Sequence, residues 1–562
     1  MFIPIIGKLL YNKDVSFTYK GFHNFFRGED RMKKTLFYNG LIFTANPKQP
    51  YATAMVVEKG RITWVGDNVV LQDFDGEQVD LHNQRVLPGL IDAHMHPLFL
   101  ANAAGQIACT APLVHSIEEM LAEVRKKRDQ QLAEDWIEGW GYDEGKLAEG
   151  RAPNRWDLDK ACDDAPVVIT RNCTHIISVN SKALELAGIT KETPNPPGGE
   201  IDRAETGELT GILKENARYL VLQKMPQVML EDNANRLAEV SPHLLSYGIT
   251  AVTEMMGLHQ PIDYIEMYQS ARTKGLRQRT VLYYIWNDMK DKYPLTKQKT
   301  NRQEPVHIGG IKCFADGSVS GRTAWVTPPY LGDDTNYGIP TTSKEELLAA
   351  CQAAEQFEVQ LVIHAMGEQA IDLIVDTFKD KKGWLPDGPS IRIEHAAMPT
   401  EKAMDLAAKA GIAFVPQPIF LYAEIESYLK NLGSDRTKTT YPVRTFLEKG
   451  IKTAFSSDAP ATAWAEPADP FVAMKSAVTR VAYDGTDTGQ DQRIDVRTAI
   501  ELYTRYAHEI TRIPDIGQLK PGYHADFIVL NEDILSIDVN RLDQIKVMET
   551  YMGGEQVYKK QN

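Results

Sequence analysis

The sequence predicts an α/β protein built on a (β/α)8 (TIM) barrel, with a small composite β-sandwich made by both chain ends and an insertion after the first barrel strand. Three observations support this architecture. Short apolar runs alternate with helical segments through the middle of the chain, which is typical of a parallel sheet with crossover helices. The runs number eight, the strand count that closes such a barrel. Both chain ends instead show short strands separated by turns.

The composition excludes several classes of protein. A chain of 562 residues with 43% hydrophobic and 25% charged residues is typical of a globular protein. The net charge of −14 argues against a nucleic-acid partner and an anionic membrane surface, because phosphate binding needs a basic face. The 5 cysteines include no CxxC pair, which favours a reducing compartment and no thiolate zinc site. No apolar run reaches transmembrane length, so we expect a cytoplasmic protein. An exposed sandwich and barrel flank would suit a homodimer.

Three parts follow one another along the chain. Residues 1–32 form a predicted N-terminal extension that lacks the basic region and cleavage site of a signal peptide. Residues 33–87 and 515–562 form the composite β-sandwich, because the first of these segments is too small to bury a core alone. Within it, Glu58-Lys59-Gly60 predicts a hairpin. Residues 88–514 form the barrel.

The barrel segment contains the eight candidate strands and their helix signals. The predicted strands are 90–94, 249–254, 280–285, 308–314, 360–364, 391–395, 412–417 and 453–458. Ser116 and Ser343 each precede a Glu by three residues, which predicts two capped helix starts, and Gly411 ends a helix that begins near Thr400. About 150 residues separate the first two strands, so residues 100–235 or so are a predicted insertion on the active face, a candidate lid or substrate pocket.

Histidines and one aspartate lie at the ends of predicted strands. His94 and His96 are two residues apart, so their side chains point to the same face of a strand. His364, His395 and Asp458 end three further strands. Because the carboxyl ends of barrel strands meet at one rim, we expect these side chains to converge. Four imidazoles and a carboxylate suit a divalent metal, with zinc first and Mn, Fe, Co or Ni as alternatives.

Several longer motifs accompany this pattern. They are Leu87-Pro88-Gly89-Leu90-Ile91-Asp92-Ala93-His94-Met95-His96, Gly139-Trp140-Gly141-Tyr142-Asp143, Val179-Asn180-Ser181-Lys182-Ala183-Leu184, and the segments 312–324 and 517–530. Together with the order His-x-His, Lys, His, His, Asp, they resemble the amidohydrolase superfamily, and in detail its YtcJ-like branch, which includes N-substituted formamide deformylases. The resemblance runs from about Lys33 to Lys559, and residues 1–31 have no counterpart in it.

The resemblance implies a metal centre of one or two ions. Its ligands would be His94, His96, Lys312, His364, His395 and Asp458. Lys312 falls on the fourth strand, where many members carry a carboxylated lysine that bridges two metals. A free lysine is cationic and a poor ligand, so the alternative is an ammonium paired with Asp316. Cys313 should point to the opposite face and pack there.

The resemblance also implies an activity, which is hydrolysis of a non-peptide C–N bond in a small-molecule amide such as an N-acyl, N-formyl or cyclic amide. Asp458 would be the general base, and His395 would help to polarise the carbonyl from the metal. An ester or lactone hydrolase, or a non-catalytic regulatory or binding protein on the same barrel, stays as an alternative.

Three further residues are candidates for substrate binding. His175 would face the pocket or lie on the surface, and Arg322 would bind a carboxylate or oxyanion or form a loop salt bridge. Trp140 would line the pocket or pack within its loop.

Overall fold

A seven-stranded parallel sheet, curled almost into a closed barrel, forms the centre of this computed structural model. The structure describes residues 34–68, 74–132, 135–172, 176–196, 199–226 and 229–561. The predicted extension, 1–32, lies outside the described residues. In chain order the strands are β1 Lys34–Tyr38, β2 Leu41–Phe43, β3 Tyr51–Ala52, β4 Ala54–Glu58, β5 Arg61–Gly66, β6 Glu77–Asp80, β7 Arg85–Pro88, β8 Leu90–Met95, β9 Ile107–Ala108, β10 Ile137–Tyr142, β11 Val167–Arg171, β12 Ile176–Val179, β13 Gly199–Arg203, β14 Leu209–Glu215, β15 Ile249–Gly257, β16 Arg279–Ile285, β17 Val306–Phe314, β18 Gln360–Ala365, β19 Ile391–His395, β20 Ala413–Val415, β21 Phe527–Leu530, β22 Val547–Met552 and β23 Glu555–Lys559.

The α-helices lie mainly between the barrel strands and around the active face. In the described residues they are α1 Pro97–Ala103, α2 Ile117–Arg128, α3 Arg155–Asp159, α4 Ser181–Ala187, α5 Tyr219–Leu222, α6 Leu230–Ser246, α7 Tyr264–Lys274, α8 Trp286–Met289, α9 Lys344–Gln356, α10 Glu368–Phe378, α11 Glu401–Ala410, α12 Pro418–Ala423, α13 Ile425–Leu432, α14 Ser434–Lys438, α15 Val443–Glu448, α16 Pro470–Thr479, α17 Val496–Leu502 and α18 Arg505–Thr511. Ser116 and Ser343 accept backbone N–H groups at the starts of α2 and α9, and Gly411 ends α11 in a left-handed conformation, as predicted.

The barrel sheet confirms seven of the eight predicted strands. Its order is β20-β19-β18-β17-β16-β15-β8, with every neighbour parallel. The strands are buried on both faces. On β17 and β18, for example, Ile311, Cys313, Leu361 and Ile363 join the core against the outer helices. Strand alternation therefore turns Lys312 and His364 to the barrel interior.

The predicted eighth strand, 453–458, is wrong as a regular strand. Only an isolated bridge between Phe414 and Thr453 connects it to β20. Two backbone bonds connect it to β8, from Ala93 N–H to Phe455 O at 3.4 Å and from Asp458 N–H to His94 O at 2.8 Å. The segment thus closes the barrel between β20 and β8 without a continuous ladder. Polar side chains such as that of Asp92, which accepts the Ser457 N–H, take the place of some ladder bonds.

Two further sheets contain strands from the chain ends, the first from the N-terminal part alone and the second from both ends. One has the order β5-β4-β1-β6, and the other has the order β23-β22-β21-β7-β2-β3, in which C-terminal β21 pairs with N-terminal β7. β4 and β5 form the predicted hairpin. Phe37 from the first sheet contacts Phe527 and Tyr551 from the second at ring distances of 4.9 and 5.3 Å. The bounds of a separate domain stay a prediction.

A further six-stranded sheet follows the first barrel strand. Its order is β13-β14-β12-β11-β10-β9, so it lies wholly between barrel strands β8 and β15 in sequence. Hydrogen bonds connect this segment to the rim: Lys146 donates to Ala423 O and, at 2.9 Å, to Ala463 O, and Ala465 N–H donates to Ala111 O at 2.9 Å. The insertion is therefore fixed against the loop that follows Asp458. Among the helices that the structure describes, none is long and apolar enough to cross a membrane.

Candidate metal centre

Four of the predicted ligands meet at the C-terminal rim of the barrel. His94, His395 and Asp458 each direct one ligand atom to a common point, with these atoms within 4.8 Å of one another. Asp458 Oδ1 lies 3.1 Å from His94 Nε2 and 2.9 Å from His96 Nε2. All four side chains are buried. The strand ends therefore bring together residues that are up to 364 positions apart in the sequence.

The acceptors behind the imidazoles determine which nitrogen faces this point. Nδ1 of His94 bonds to Glu394 Oε2 at 2.7 Å, and Nδ1 of His395 bonds to Gln417 Oε1 at 2.7 Å. An oxygen acceptor keeps the proton on Nδ1, so the Nε2 lone pair is available for a metal. This donor set, imidazole nitrogens with one carboxylate, is chemically suited to a divalent ion such as zinc.

Glu254 supports His96 in the same way. It lies on barrel strand β15 with no exposed surface, and its Oε1 is 3.4 Å from His96 Nδ1. Its other oxygen accepts the hydroxyl of Tyr268 at 2.5 Å. Sequence reasoning missed Glu254, Glu394 and Gln417. The available signal was that all three lie in the last two residues of the predicted strands 249–254, 391–395 and 412–417, whose carboxyl ends meet at the rim.

Glu394 belongs to a buried ion pair. Arg392 and Glu394 are both fully buried and lie 2.9 Å apart, and Arg392 also bonds to the Tyr283 hydroxyl at 3.1 Å. Burial raises the pKa of Glu394, but Arg392 and His94 outweigh burial and hold that pKa at about 2. Glu394 therefore stays ionised and accepts from His94 throughout the neutral range.

His364 and Lys312 lie beside this group. The His364 ring is 4.4 Å from the His395 ring, and its Nε2 bonds to Gly317 O at 2.9 Å, which leaves Nδ1 as the nitrogen for a metal. Lys312 is buried, and within the described part of the chain it makes neither a hydrogen bond nor an ion pair. Burial lowers its pKa to about 8. The alternative pair with Asp316 is wrong, because Asp316 accepts instead from the N–H groups of Trp325, Met366 and Gly367.

The site holds unusual charge and backbone states. Burial lowers the pKa of His395 well below its usual value and that of His364 to about 4, so both imidazoles are neutral, as a metal ligand must be. Burial raises the pKa of Asp458, but His94 and His96 outweigh it and hold that pKa well below the usual range. His395 and Asp458 also have φ values of 69° and 56°, a left-handed conformation that is costly for residues other than glycine. Such strain at two predicted ligands is typical of a functional site.

A cavity of about 190 Å³ adjoins the centre. Trp140, from the insertion, lines it together with Phe99, whose ring stacks on His96 at 5.4 Å, and with Pro460 and Ala461, which follow Asp458. Trp140 thus lines a pocket, which was one of its two predicted roles. Arg322 contacts its own loop, at Leu331 O and over the Tyr330 ring. His175 lies outside the described residues.

Fold and site together define a (β/α)8-barrel protein with an imidazole and carboxylate centre of metal-binding type. A sequence model described as "Amidohydrolase family" matches residues 77–558. YtcJ of Bacillus subtilis (strain 168) is 29% identical over 538 residues, covering 94% of this chain and all of that protein. The N-substituted formamide deformylase of Arthrobacter pascens is 26% identical over 541 residues, covering 93% and 98%. The structure of an uncharacterized metal-dependent hydrolase from Pyrococcus horikoshii OT3 is similar, with a TM-score of 0.72, 26% identity, and coverage of 90% and 99%.

The family model spans most of the sequence, so the chain belongs to the amidohydrolase family. This confirms the resemblance drawn from the motifs and places the chain among metal-dependent hydrolases.

Proposed function

We propose that this chain is a metal-dependent amidohydrolase that hydrolyses a non-peptide C–N bond in a small-molecule N-acyl, N-formyl or cyclic amide. The observation that carries the proposal is the convergence of His94, His395 and Asp458 on one point, with His96 in contact with the same carboxylate oxygen. The choice of a C–N bond is supported by the name of one relative, an N-substituted formamide deformylase.

The ion would be zinc, which imidazole and carboxylate ligands suit. His94, His96, His395 and Asp458 would hold it, and His364 with Lys312 would serve a second ion. Bound there, the metal supplies a Lewis acid that activates water and polarises the substrate carbonyl. Glu394, Gln417 and Glu254 fix the imidazoles that would bind it.

Asp458 acts as the general base in this proposal. Its carboxylate is ionised at neutral pH because the neighbouring histidines hold its pKa well below the usual range. It accepts a proton from the attacking water and gives it to the leaving nitrogen, since an amine anion is a very poor leaving group. His395, held by Gln417, contributes to polarising the carbonyl from its place in the ligand set.

We further propose that Lys312 is carboxylated. A deprotonated lysine amine adds CO2 to give a carbamate anion and releases one proton. Burial, which lowers the pKa of Lys312 to about 8, increases the fraction of free amine at neutral pH. The carbamate would turn a cationic side chain, which makes no ion pair within the described part of the chain, into an anionic oxygen ligand.

A comparison of variants tests the function. Asp458→Asn keeps a side chain of the same size, so we expect most of the bound zinc to remain while amide hydrolysis is lost. His94→Ala should lower the zinc content itself, measured by elemental analysis after purification without added metal. Amide hydrolysis that persists in Asp458→Asn would remove Asp458 from the base role. A zinc-loaded protein that cleaves esters or lactones but no amide would favour the ester alternative.

The location we propose is the cytoplasm. Its support is that Cys109, Cys162, Cys313 and Cys351 are free thiols in the structure. Fractionation of the native host, with the protein detected by a specific antibody, would test it.

A further inference from the structure

The cavity beside the metal centre lies between the insertion and the barrel rim. Phe99 follows His96 by three residues, and Pro460 and Ala461 follow Asp458 by two and three, so this wall is continuous with the candidate ligands. Trp140 and Thr170, on neighbouring strands β10 and β11, form the opposite wall. A group attached to a carbonyl at the centre would therefore have this cavity next to it.

Two amide side chains of the cavity wall already bind protein partners. Gln106 donates to Glu138 at 2.8 Å, and Asn102 accepts from Arg236 at 2.9 Å. The charged residue in the lining, Arg171, is only 8% exposed.

Arg171 is neutralised where it lies. It makes a two-point contact with Glu144, at 2.9 and 3.1 Å, and a bond of 2.9 Å to Asn172. A bidentate pair of this kind satisfies both charges. Among the described residues, Arg171 also lies 3.9 Å from Asp143. An anionic ligand group would have to compete with these carboxylates for Arg171, and a cationic one would have to compete with Arg171 for them, and either is costly.

Size and lining together indicate the class of ligand. The cavity holds about 190 Å³ and has aromatic and small apolar walls in Phe99, Trp140, Pro460 and Ala461. An engineered apolar cavity of about 150 Å³ is large enough to bind benzene. The volume therefore suits one aromatic ring or a comparable cyclic group.

We propose that this cavity is the subsite for an uncharged, flat cyclic substituent of the substrate, and that Trp140 and Phe99 determine that preference. The proposal rests on the proposed function, because it assigns the cavity to the same active site. It narrows the substrate class to neutral amides that carry a single ring next to the scissile bond. Trp140 provides the wall from the insertion, whose position against the rim is fixed by Lys146.

Binding to the zinc-loaded full chain tests the subsite without requiring turnover. The probes are benzamide, benzenesulfonate and benzyltrimethylammonium, which share one ring and differ in charge, and calorimetry gives each dissociation constant. We expect benzamide to bind on the order of 100-fold more tightly than either ion. Trp140→Ala should weaken benzamide binding about tenfold, whereas Trp140→Phe, which keeps a flat wall, should stay within about threefold. Equal affinity for the ions, or unchanged benzamide binding in Trp140→Ala, would overturn the proposal.

Two further measurements separate this proposal from the proposed function. Trp156→Ala is the matched control, because Trp156 is a partly exposed tryptophan of the same insertion that does not line the cavity; its benzamide affinity should equal that of the wild type. The hydrolysis of N-phenylformamide and unsubstituted formamide is then compared. A Trp140→Ala loss confined to N-phenylformamide supports the subsite, and an equal loss on both substrates contradicts it. Benzamide binding without hydrolysis of any amide would refute the function and leave the subsite.

Discussion

Substitution of Glu254 tests whether a carboxylate behind His96 orients that imidazole for metal binding. Its two oxygens accept four donors: His96 Nδ1 at 3.4 Å, Met256 N–H at 2.9 Å, Leu98 N–H at 3.4 Å and the Tyr268 hydroxyl at 2.5 Å. Glu254→Gln replaces one oxygen with an NH2 group of the same size. Donors on that side then face another donor, and His96 loses a charged acceptor for its Nδ1 proton.

The expected effect is a loss of metal affinity with the fold retained. Removing the outer partner of a metal-binding histidine typically weakens metal binding about 10–100-fold, which corresponds to about 1.4–2.7 kcal/mol. A buried donor left without an acceptor adds about 1–3 kcal/mol of destabilisation. We therefore expect a weaker zinc dissociation constant, measured by competition with a chromogenic chelator, and a lower melting temperature.

The matched control is Glu466→Gln. Glu466 also accepts a tyrosine hydroxyl, from Tyr247 at 2.7 Å, but among the described residues it contacts no candidate ligand. Its glutamine variant should bind zinc as the wild type does. If Glu254→Gln also kept wild-type zinc affinity, the view that Glu254 holds His96 in place for the metal would be refuted.

Three further outcomes follow from individual contacts. Lys312→Ala should reduce bound zinc from two equivalents to one if the carbamate bridges two ions, and bicarbonate should raise the activity of the wild type but not of the variant. Gly411 ends α11 at φ 71°, and a methyl group added there would meet no described atom within 4 Å. Gly411→Ala should therefore lower the free energy of unfolding, measured in urea, by about 1 kcal/mol through backbone strain alone. Gly105→Ala, where no left-handed φ is required, should lower it less. Burial raises the pKa of Glu466 to about 7, so the folded chain binds a proton more tightly than the unfolded chain. The free energy of unfolding should therefore fall as the pH rises from about 4.5 to 7, and the fall should be on the order of 3 kcal/mol larger in the wild type than in Glu466→Gln. Thermal unfolding across that pH range measures the difference.

Sequence patterns identified the barrel because its strands are buried on both faces. A run such as Leu361-Val362-Ile363 is apolar throughout, and the histidine that ends it stands out. His94 and His96 were recognisable for the same reason, since strand alternation alone places them on one face. The pattern therefore predicted those contacts of the site that follow from position along a strand.

The outer contacts of the site could not be predicted in this way. Glu254 and Glu394 come from different strands, and their contacts with His96 and His94 depend on barrel curvature and stagger rather than on spacing within one element. The alternative of a Lys312–Asp316 pair was suggested by proximity in sequence, whereas three backbone N–H groups from two other segments bind the Asp316 carboxylate. The cavity could not be predicted for the same reason, because it forms between two segments, the insertion and the barrel rim.

The irregular backbone of the predicted eighth strand and the position of the Asp458 carboxylate have one cause. A regular strand at 453–458 would turn successive side chains to opposite faces and keep φ negative throughout. Instead, Asp92 Oδ1 accepts the N–H groups of both His94, at 3.2 Å, and Ser457, at 3.1 Å, so a side chain joins the two segments where ladder bonds would otherwise run. The next residue, Asp458, has φ 56° and directs its carboxylate to His94 and His96. A regular strand at this point would not direct the Asp458 carboxylate to the two histidines. The departure from the predicted strand therefore coincides with the functional residue.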